Sequence, residues 1–318
     1  MGEKSKTIGE KGEKIVENFL KMIGWNNPQP NETIICQHPA EHKSKSSERP
    51  RATHGIDFFY ANKSNLKINT LDNIVISVKY SAVEYPKYPS TMFKSHLTDL
   101  AQTLECFIRS ELRQNSNSDF NELRSIKKAD DLGVLFWINN NKTSTQNIAK
   151  DVATIEIPKD INFSSIYLVD NYRMAFIHQT LTKLNSKHSD FDINFHYNQS
   201  DANFSDSDIK KYGKSMPVEY LTADMIPFRL INRLNNEVIF CISLNDNFNE
   251  ENLNYILSYA SDVSLDFTTS FVILFPDYNE LEHGVIGEKV IGKFNKREHK
   301  ITVTIHSYTN GFWSLGDE

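Results

Sequence analysis

Residues 74–80 read Ile-Val-Ile-Ser-Val-Lys-Tyr. A run this rich in β-branched side chains predicts a strand. Strand alternation sends Ile74, Ile76, Val78 and Tyr80 to one face and Val75, Ser77 and Lys79 to the other. A lysine turned inward from so apolar a strand is costly unless it meets anions. Asp57 and a bound phosphate are the natural candidates.

Working outward, His54-Gly55-Ile56-Asp57 places an acid at the start of another strand, Ile56–Tyr60, after a glycine that permits close backbone approach. His54 reads as a turn residue with a structural hydrogen bond. Further upstream, Gly9–Glu17 has the pattern G-x-x-G-E-x-x-V-E, which sets Glu10, Glu13 and Glu17 along one side of a helix. That helix runs over Gly12–Ile23, with Ile15, Val16, Phe19, Leu20 and Ile23 as its buried stripe and Gly24 as its stop. Glu17 reads as a solvated residue of its outer face. Glu32–Gln37 is a short strand, and the polar loop His38–Thr53 carries Lys43, Lys45, Arg49 and Arg51.

Downstream, an amphipathic helix is expected from Ser90 to about Leu112, with Lys94, His96 and Gln102 on its solvated face. Gly133–Ile138 is an all-apolar strand suited to the middle of a sheet. Ser165–Val169 and Asp192–Tyr197 are further strands around a helix at Tyr172–Leu184. The stretch Asn198–Pro217, rich in Ser, Asp and Asn, reads as a linker. Beyond it, Val238–Leu244, Glu250–Ala260, Phe271–Phe275, Glu280–Lys293 and Ile301–Ser307 alternate strand and helix. The expected organisation is a first domain over 1–197 and a smaller α/β domain over 215–318, without an internal repeat.

These motifs resemble those of the PD-(D/E)xK, restriction-endonuclease-like superfamily, which carries a "GE…L…G" first helix, a "G-h-D" strand and an "(E/D)-h-K" strand, where h is apolar. The resemblance covers about the first 140 residues. It implies an α/β fold with an αβββαβ core and a metal-dependent nuclease. Glu13 then corresponds to the helix acid, Asp57 to the metal-binding aspartate and Lys79 to the catalytic lysine. The second metal-binding acid of the family falls on Ser77, a neutral hydroxyl. Glu13, Asp57 and the Val78 carbonyl are the implied ligands of Mg²⁺, with Mn²⁺ as a substitute. The implied activity is hydrolysis of DNA phosphodiester bonds in prokaryotic defence or restriction. The alternative is a nuclease-fold subunit without catalysis that binds DNA or a partner protein.

Composition sets the remaining bounds. The chain has 318 residues, 39% hydrophobic and 24% charged, which is ordinary for a globular protein. The longest apolar runs are strand-sized, so no membrane association is expected. The charged N-terminus lacks a signal-peptide core, and cytoplasmic localisation is expected. The net charge is −6, but residues 1–130 hold 19 basic against 16 acidic residues and the remainder 16 against 25. The basic excess coincides with the nuclease motifs, which makes Lys43, Lys45, Arg49 and Arg51 the expected DNA contacts. The acidic second half suits a partner subunit or a homo-oligomer contact. Cys36, Cys106 and Cys241 lack paired spacing, so neither a disulfide framework nor a zinc site is expected.

Overall fold

The structure is a computed structural model and describes residues 2–43, 49–121, 126–141, 146–156, 160–198, 210–296 and 301–309. The backbone separates into two compact units, one of Met1–Met174, the other of Ala175–Asn198 with the residues from 210 onward.

In the first unit the elements run α1 (Gly2–Met22), β1 (Gln29–Ile35), β2 (Thr53–Lys63), β3 (Thr70–Ser81), α2 (Ser90–Phe107), α3 (Glu111–Asn121), β4 (Lys128–Asn139), α4 (Ile148–Val152) and β5 (Ser165–Val169). They form one mixed sheet in the order β1-β2-β3-β4-β5. The β1–β2 and β2–β3 pairs are antiparallel; β3–β4 and β4–β5 are parallel. The expected αβββαβ core is therefore present. The single helix expected from Ser90 to Leu112 is two. Helix α2 ends at Phe107, and the Ser110 hydroxyl accepts from the Arg113 N–H to start α3.

Each face of this sheet has its own cover. Phe19 of α1 meets Phe136 edge-on at 5.8 Å, so α1 lies on the face of Ile76, Val78 and Tyr80. Gly12 makes this possible: a Cβ there would stand 2.8 Å from Tyr80 Cγ, well inside van der Waals contact. On the other face Val75, Phe59, Leu135 and Trp137 pack with Phe93, Leu97, Leu100 and Leu104 of α2. That layer is dry except at one end, where Ser77 and Lys79 follow Val75 on the same face.

The second unit begins within α5 (Asn171–Lys187) and continues with β6 (Phe191–His196), β7 (Tyr212–Gly213), a 3₁₀ turn (Val218–Leu221), β8 (Met225–Asn232), β9 (Val238–Leu244), α6 (Glu250–Ser264), β10 (Ser270–Phe275), α7 (Glu280–Asn295) and β11 (Thr302–Ser307). Its sheet has the order β11-β10-β9-β8-β6-β7. Strand β6, read from sequence as part of the first domain, pairs with β8 and so belongs to this sheet. Strand β8 was not foreseen, because Pro227 and Arg229 interrupt its apolar pattern.

Set side by side, the sheets are wired alike. In the second, β6–β8 and β8–β9 are antiparallel and β9–β10 and β10–β11 parallel. Reading β6, β8, β9, β10 and β11 against β1 to β5 reproduces order and sense, with α5 preceding as α1 does. The sequence shows no internal repeat, yet the topology has one. Among the described residues, no helix is long and apolar enough to cross a membrane.

Candidate metal-dependent nuclease site

The antiparallel register sets Phe58 opposite Ile76, which puts Asp57 opposite Ser77 and on the same face. Lys79 lies two residues further along that face. The Asp57 carboxylate accepts the Val78 N–H at 2.5 Å. It also accepts a hydrogen bond from the Ser77 hydroxyl. Asp57 is thereby fixed against β3.

Helix α1 brings in the next acid. Gly12 rests on Tyr80, and the adjoining Glu13 comes close enough to Asp57 to feel its charge. Glu13 is pushed above the ordinary carboxylate range, first by burial and then by the Asp57 and Glu10 charges. Burial likewise pushes Asp57 up, against the opposing pull of the Val78 N–H, Lys79 and Ser77. Glu17, one turn on, instead pairs outward with Lys14 at 2.8 Å and Lys21 at 2.5 Å, as the solvated-face reading expects.

An unforeseen residue, Asp99 of α2, completes the cluster. Lys79 Nζ lies 3.2 Å from one of its oxygens, and Arg51 donates to the other at 2.8 Å. Burial pushes Asp99 up, but Lys79 and Arg51 outweigh it and hold the carboxyl below its usual range. Its signature in sequence is faint: His96, Asp99 and Thr103 form a short polar stripe beside the apolar one on α2. His96, read as solvated, is half-buried. Its ring meets Trp137 edge-on at 5.4 Å, and burial, aided by Lys79, lowers its pKa to about 4.

The cationic loop divides. Lys43 and Arg49 are exposed, Arg51 is drawn into the Asp99 network, and Lys45 lies outside the described residues.

Glu13 and Asp57 thus form a pair of crowded acids, and Lys79, whose charge acts on Asp57, is shared with a third, Asp99. Hard carboxylate oxygens with unbalanced negative charge suit a divalent cation such as Mg²⁺, so these residues fit the metal that such a nuclease domain takes. Acid and hydroxyl on paired strands, a lysine two residues on and a helix acid, all on an αβββαβ core, place the first unit in the restriction-endonuclease-like class. More narrowly, residues 1–173 match the family described as the GAPS4 protein PD-(D/E)XK nuclease domain, and the chain belongs to that family. No curated protein and no solved structure matches the chain.

Proposed function

We propose that the chain is a Mg²⁺-dependent endonuclease, also able to use Mn²⁺, that hydrolyses DNA phosphodiester bonds in prokaryotic defence. The observation that carries this reading is the convergence of Glu13, Asp57 and Lys79 around Ser77. The defence association of the family supports the biological setting. Glu13 and Asp57 hold the cation, with the Val78 carbonyl as a further ligand. When bound, Mg²⁺ supplies Lewis-acid polarisation of the scissile phosphate and acidifies the attacking water. Lys79 orients that water or neutralises the charge developing on phosphorus. Asp99 is a positioning residue, which holds the lysine tip beside Asp57. Ser77 contributes a neutral contact. Lys43, Lys45, Arg49 and Arg51 track the phosphate backbone, and the second unit serves recognition or assembly with a partner subunit or a second copy.

A second reading has a specific observation behind it. Ser77 replaces an acid, and a site with fewer anionic ligands suits a subunit that binds DNA or a partner protein without cutting. Incubation with linear and circular DNA, with and without added Mg²⁺ or Mn²⁺, decides between them. Metal-dependent cleavage that Asp57→Ala removes supports the enzyme. Its absence, in the presence of any partner subunit, supports the scaffold. In either case binding should weaken as salt rises, and weaken again when the four loop cations are replaced together, because each phosphate contact releases counterions.

A further inference from the structure

Beside the nuclease site, four side chains that the proposed reaction does not use meet in the interior. Cys36 follows β1, His42 lies in the turn after it, His54 stands on β2, and Cys106 is in the last turn of α2. Their exposures are 4%, 3%, 0% and 0%. One ligand atom from each falls within 4.8 Å of all the others. The sequence reading excluded zinc because Cys36 and Cys106 are 70 residues apart; the fold removes that separation.

The three edges that meet at His42 Nδ1 have the lengths of those in a metal tetrahedron. Cys36 Sγ is 3.6 Å from His42 Nδ1, Cys106 Sγ is 3.5 Å from the same nitrogen, and His42 Nδ1 is 3.3 Å from His54 Nε2. Zinc bonds of about 2.3 Å to sulfur and about 2.0–2.1 Å to nitrogen, at tetrahedral angles, give S···N edges of about 3.5–3.6 Å and N···N edges of about 3.3–3.4 Å.

The contacts at the rim aim the cluster inward. His42 Nε2 faces the Glu105 carboxylate at 3.0 Å, which turns Nδ1 toward both sulfurs and His54 Nε2. The Thr103 hydroxyl donates to the Asp99 carbonyl, so it accepts from His54 Nδ1 at 3.2 Å, which leaves the lone pair on His54 Nε2 pointing into the cluster. Four ligand atoms thus surround one point, where a single cation reaches all of them. The outer contacts are those that orient metal-bound imidazoles, one to a carboxylate and one to a hydroxyl, while the Gln37 N–H donates to Cys106 Sγ at 3.2 Å.

We infer that Cys36, His42, His54 and Cys106 bind one Zn²⁺ as a closed structural site. Two thiolates and two imidazoles are soft and borderline donors that select zinc over Mg²⁺, and two thiolates balance its charge in a dry pocket. Four protein ligands leave no position for water, so the site does no hydrolysis. It ties the end of β1, the cationic loop, β2 and α2 at one point. Arg51 is fastened to that loop through its N–H to the Pro39 carbonyl, and from there it reaches Asp99. The zinc thereby anchors the ion-pair network around Lys79.

Elemental analysis of the purified full chain tests this. One zinc per chain is expected, retained in Asp57→Asn, which separates it from the proposed Mg²⁺ site. Cobalt substitution should give thiolate-to-metal charge-transfer absorption with tetrahedral visible bands. Glu105→Gln should weaken zinc affinity about 10–100-fold in competition with a chelating dye. His42→Cys, which keeps four ligands, should still bind zinc. Because Cys36→Ser or Cys106→Ser can fail to fold, the wild-type cobalt spectrum and the Glu105 and His42 variants carry the test without them. Wild-type protein that takes up neither zinc nor cobalt, or that proves to hold a Cys36–Cys106 disulfide, overturns the inference. So does zinc whose affinity is unchanged in Glu105→Gln and whose cobalt form lacks thiolate absorption.

Discussion

On β3 of the first unit, Ser77 and Lys79 stand beside Asp57 of β2. In the second sheet, the residues of β9 that face the crossover helix α6, as Ser77 and Lys79 face α2, are Phe240, Ile242 and Leu244, while Ser243, opposite Ile226 of β8, turns to α5 on the other face. Both strands are the pivot at which antiparallel pairing gives way to parallel, and both precede a crossover helix. Their chemistry differs completely. Neither β8 nor β9 contains an acid or a lysine, so no choice of register rebuilds the cluster of Asp57, Ser77 and Lys79 there. The lone charge on those strands, Arg229, stands over the Phe267 ring, its guanidinium carbon 3.4 Å from the ring centroid. Strand wiring alone therefore does not make a site. The first unit bears the cost of charged groups beside its core by arranging Asp99 and Arg51 around them, whereas the second fills the same space with Phe240, Ile242, Phe271 and Ile273.

The largest expected effect breaks the comparison at its chemical end. Asp57→Ala and Lys79→Ala should each lower metal-dependent cleavage by about 10²–10³-fold or more, as loss of a preorganised charge at a reacting centre does. Lys79→Ala should leave DNA affinity nearly intact, since its charge acts mainly in the transition state. Single-turnover cleavage and equilibrium binding, measured on the same variants, separate the two. Equal losses in binding and rate would assign Lys79 to substrate holding.

Acid should act on the second unit next. In the second unit, burial lowers His196 from 6.5 to about 4 and lowers His188, while ion pairs lower Asp192 and Glu250. The unfolded chain binds more protons at every one of these groups as pH falls, so each loses stability in the same direction. For His196 the contribution is complete above about pH 6.5 and is lost toward pH 4, on the order of 3 kcal/mol. In the first unit the shifts have both signs: His54, His96, Asp99 and Glu17 are lowered, and the raised carboxyls of Glu13, Asp57 and Asp170 work against them. Segment-resolved hydrogen exchange between pH 7 and pH 4.5, without added Mg²⁺, should show protection of α5 and β6–β11 falling as the pH is lowered. Unchanged protection there would mean that the proton balance does not govern acid stability.

Gly12→Ala tests how the first unit delivers its helix acid. The added methyl meets Tyr80, so α1 must shift off β3, at a cost of about 1–3 kcal/mol. The shift also moves Glu13 away from Asp57, so the Mg²⁺ concentration needed for half-maximal cleavage should rise. Unchanged stability and metal requirement would show that α1 does not depend on this close approach.

What the sequence made legible follows from the range of the forces involved. Strands β5 and β9 are readable to the residue, because short apolar runs bounded by polar residues mark their own ends. Asp57 and Lys79 could be placed on one face because alternation is strict and β2 and β3 are chain neighbours. Asp99 could not, since the periodicity of α2 locates its apolar stripe but not which flanking polar residue turns to the sheet. Helix α3, Glu-Leu-Arg-Gln-Asn-Ser-Asn-Ser-Asp-Phe-Asn, has almost no apolar period and rests on the Ser110 cap and on contacts such as that of Ser116 with Asn73. The Cys36–Cys106 pairing is set by the packing of α2 on the sheet, which no local spacing encodes. Likewise the repeated topology is invisible in sequence because the two sheets solve the same packing problem with different residues.

The smallest effect sharpens the comparison at the two serines. Ser77 is half-buried and hydrogen-bonds Asp57, with solvent and neighbouring cations within reach, so Ser77→Ala should barely alter stability and should lower cleavage less than Asp57→Ala. Ser243 is fully buried, and its hydroxyl meets that of Thr180 on α5 at 2.7 Å, Thr180 being fully buried as well. Ser243→Ala therefore strands a hydroxyl in a dry core, which costs about 1–3 kcal/mol. Removing both partners in Ser243→Ala with Thr180→Val abolishes the need for the bond, so the double variant should recover part of the loss, with a coupling of about 1 kcal/mol. Cleavage should be unaffected in all three of these second-unit variants once protein is compared at equal folded fraction. Denaturant melts of the four species close the cycle. Additive losses would mean the two hydroxyls do not depend on each other, and reduced cleavage in folded protein would give the second unit a part in the chemistry that its strands do not display.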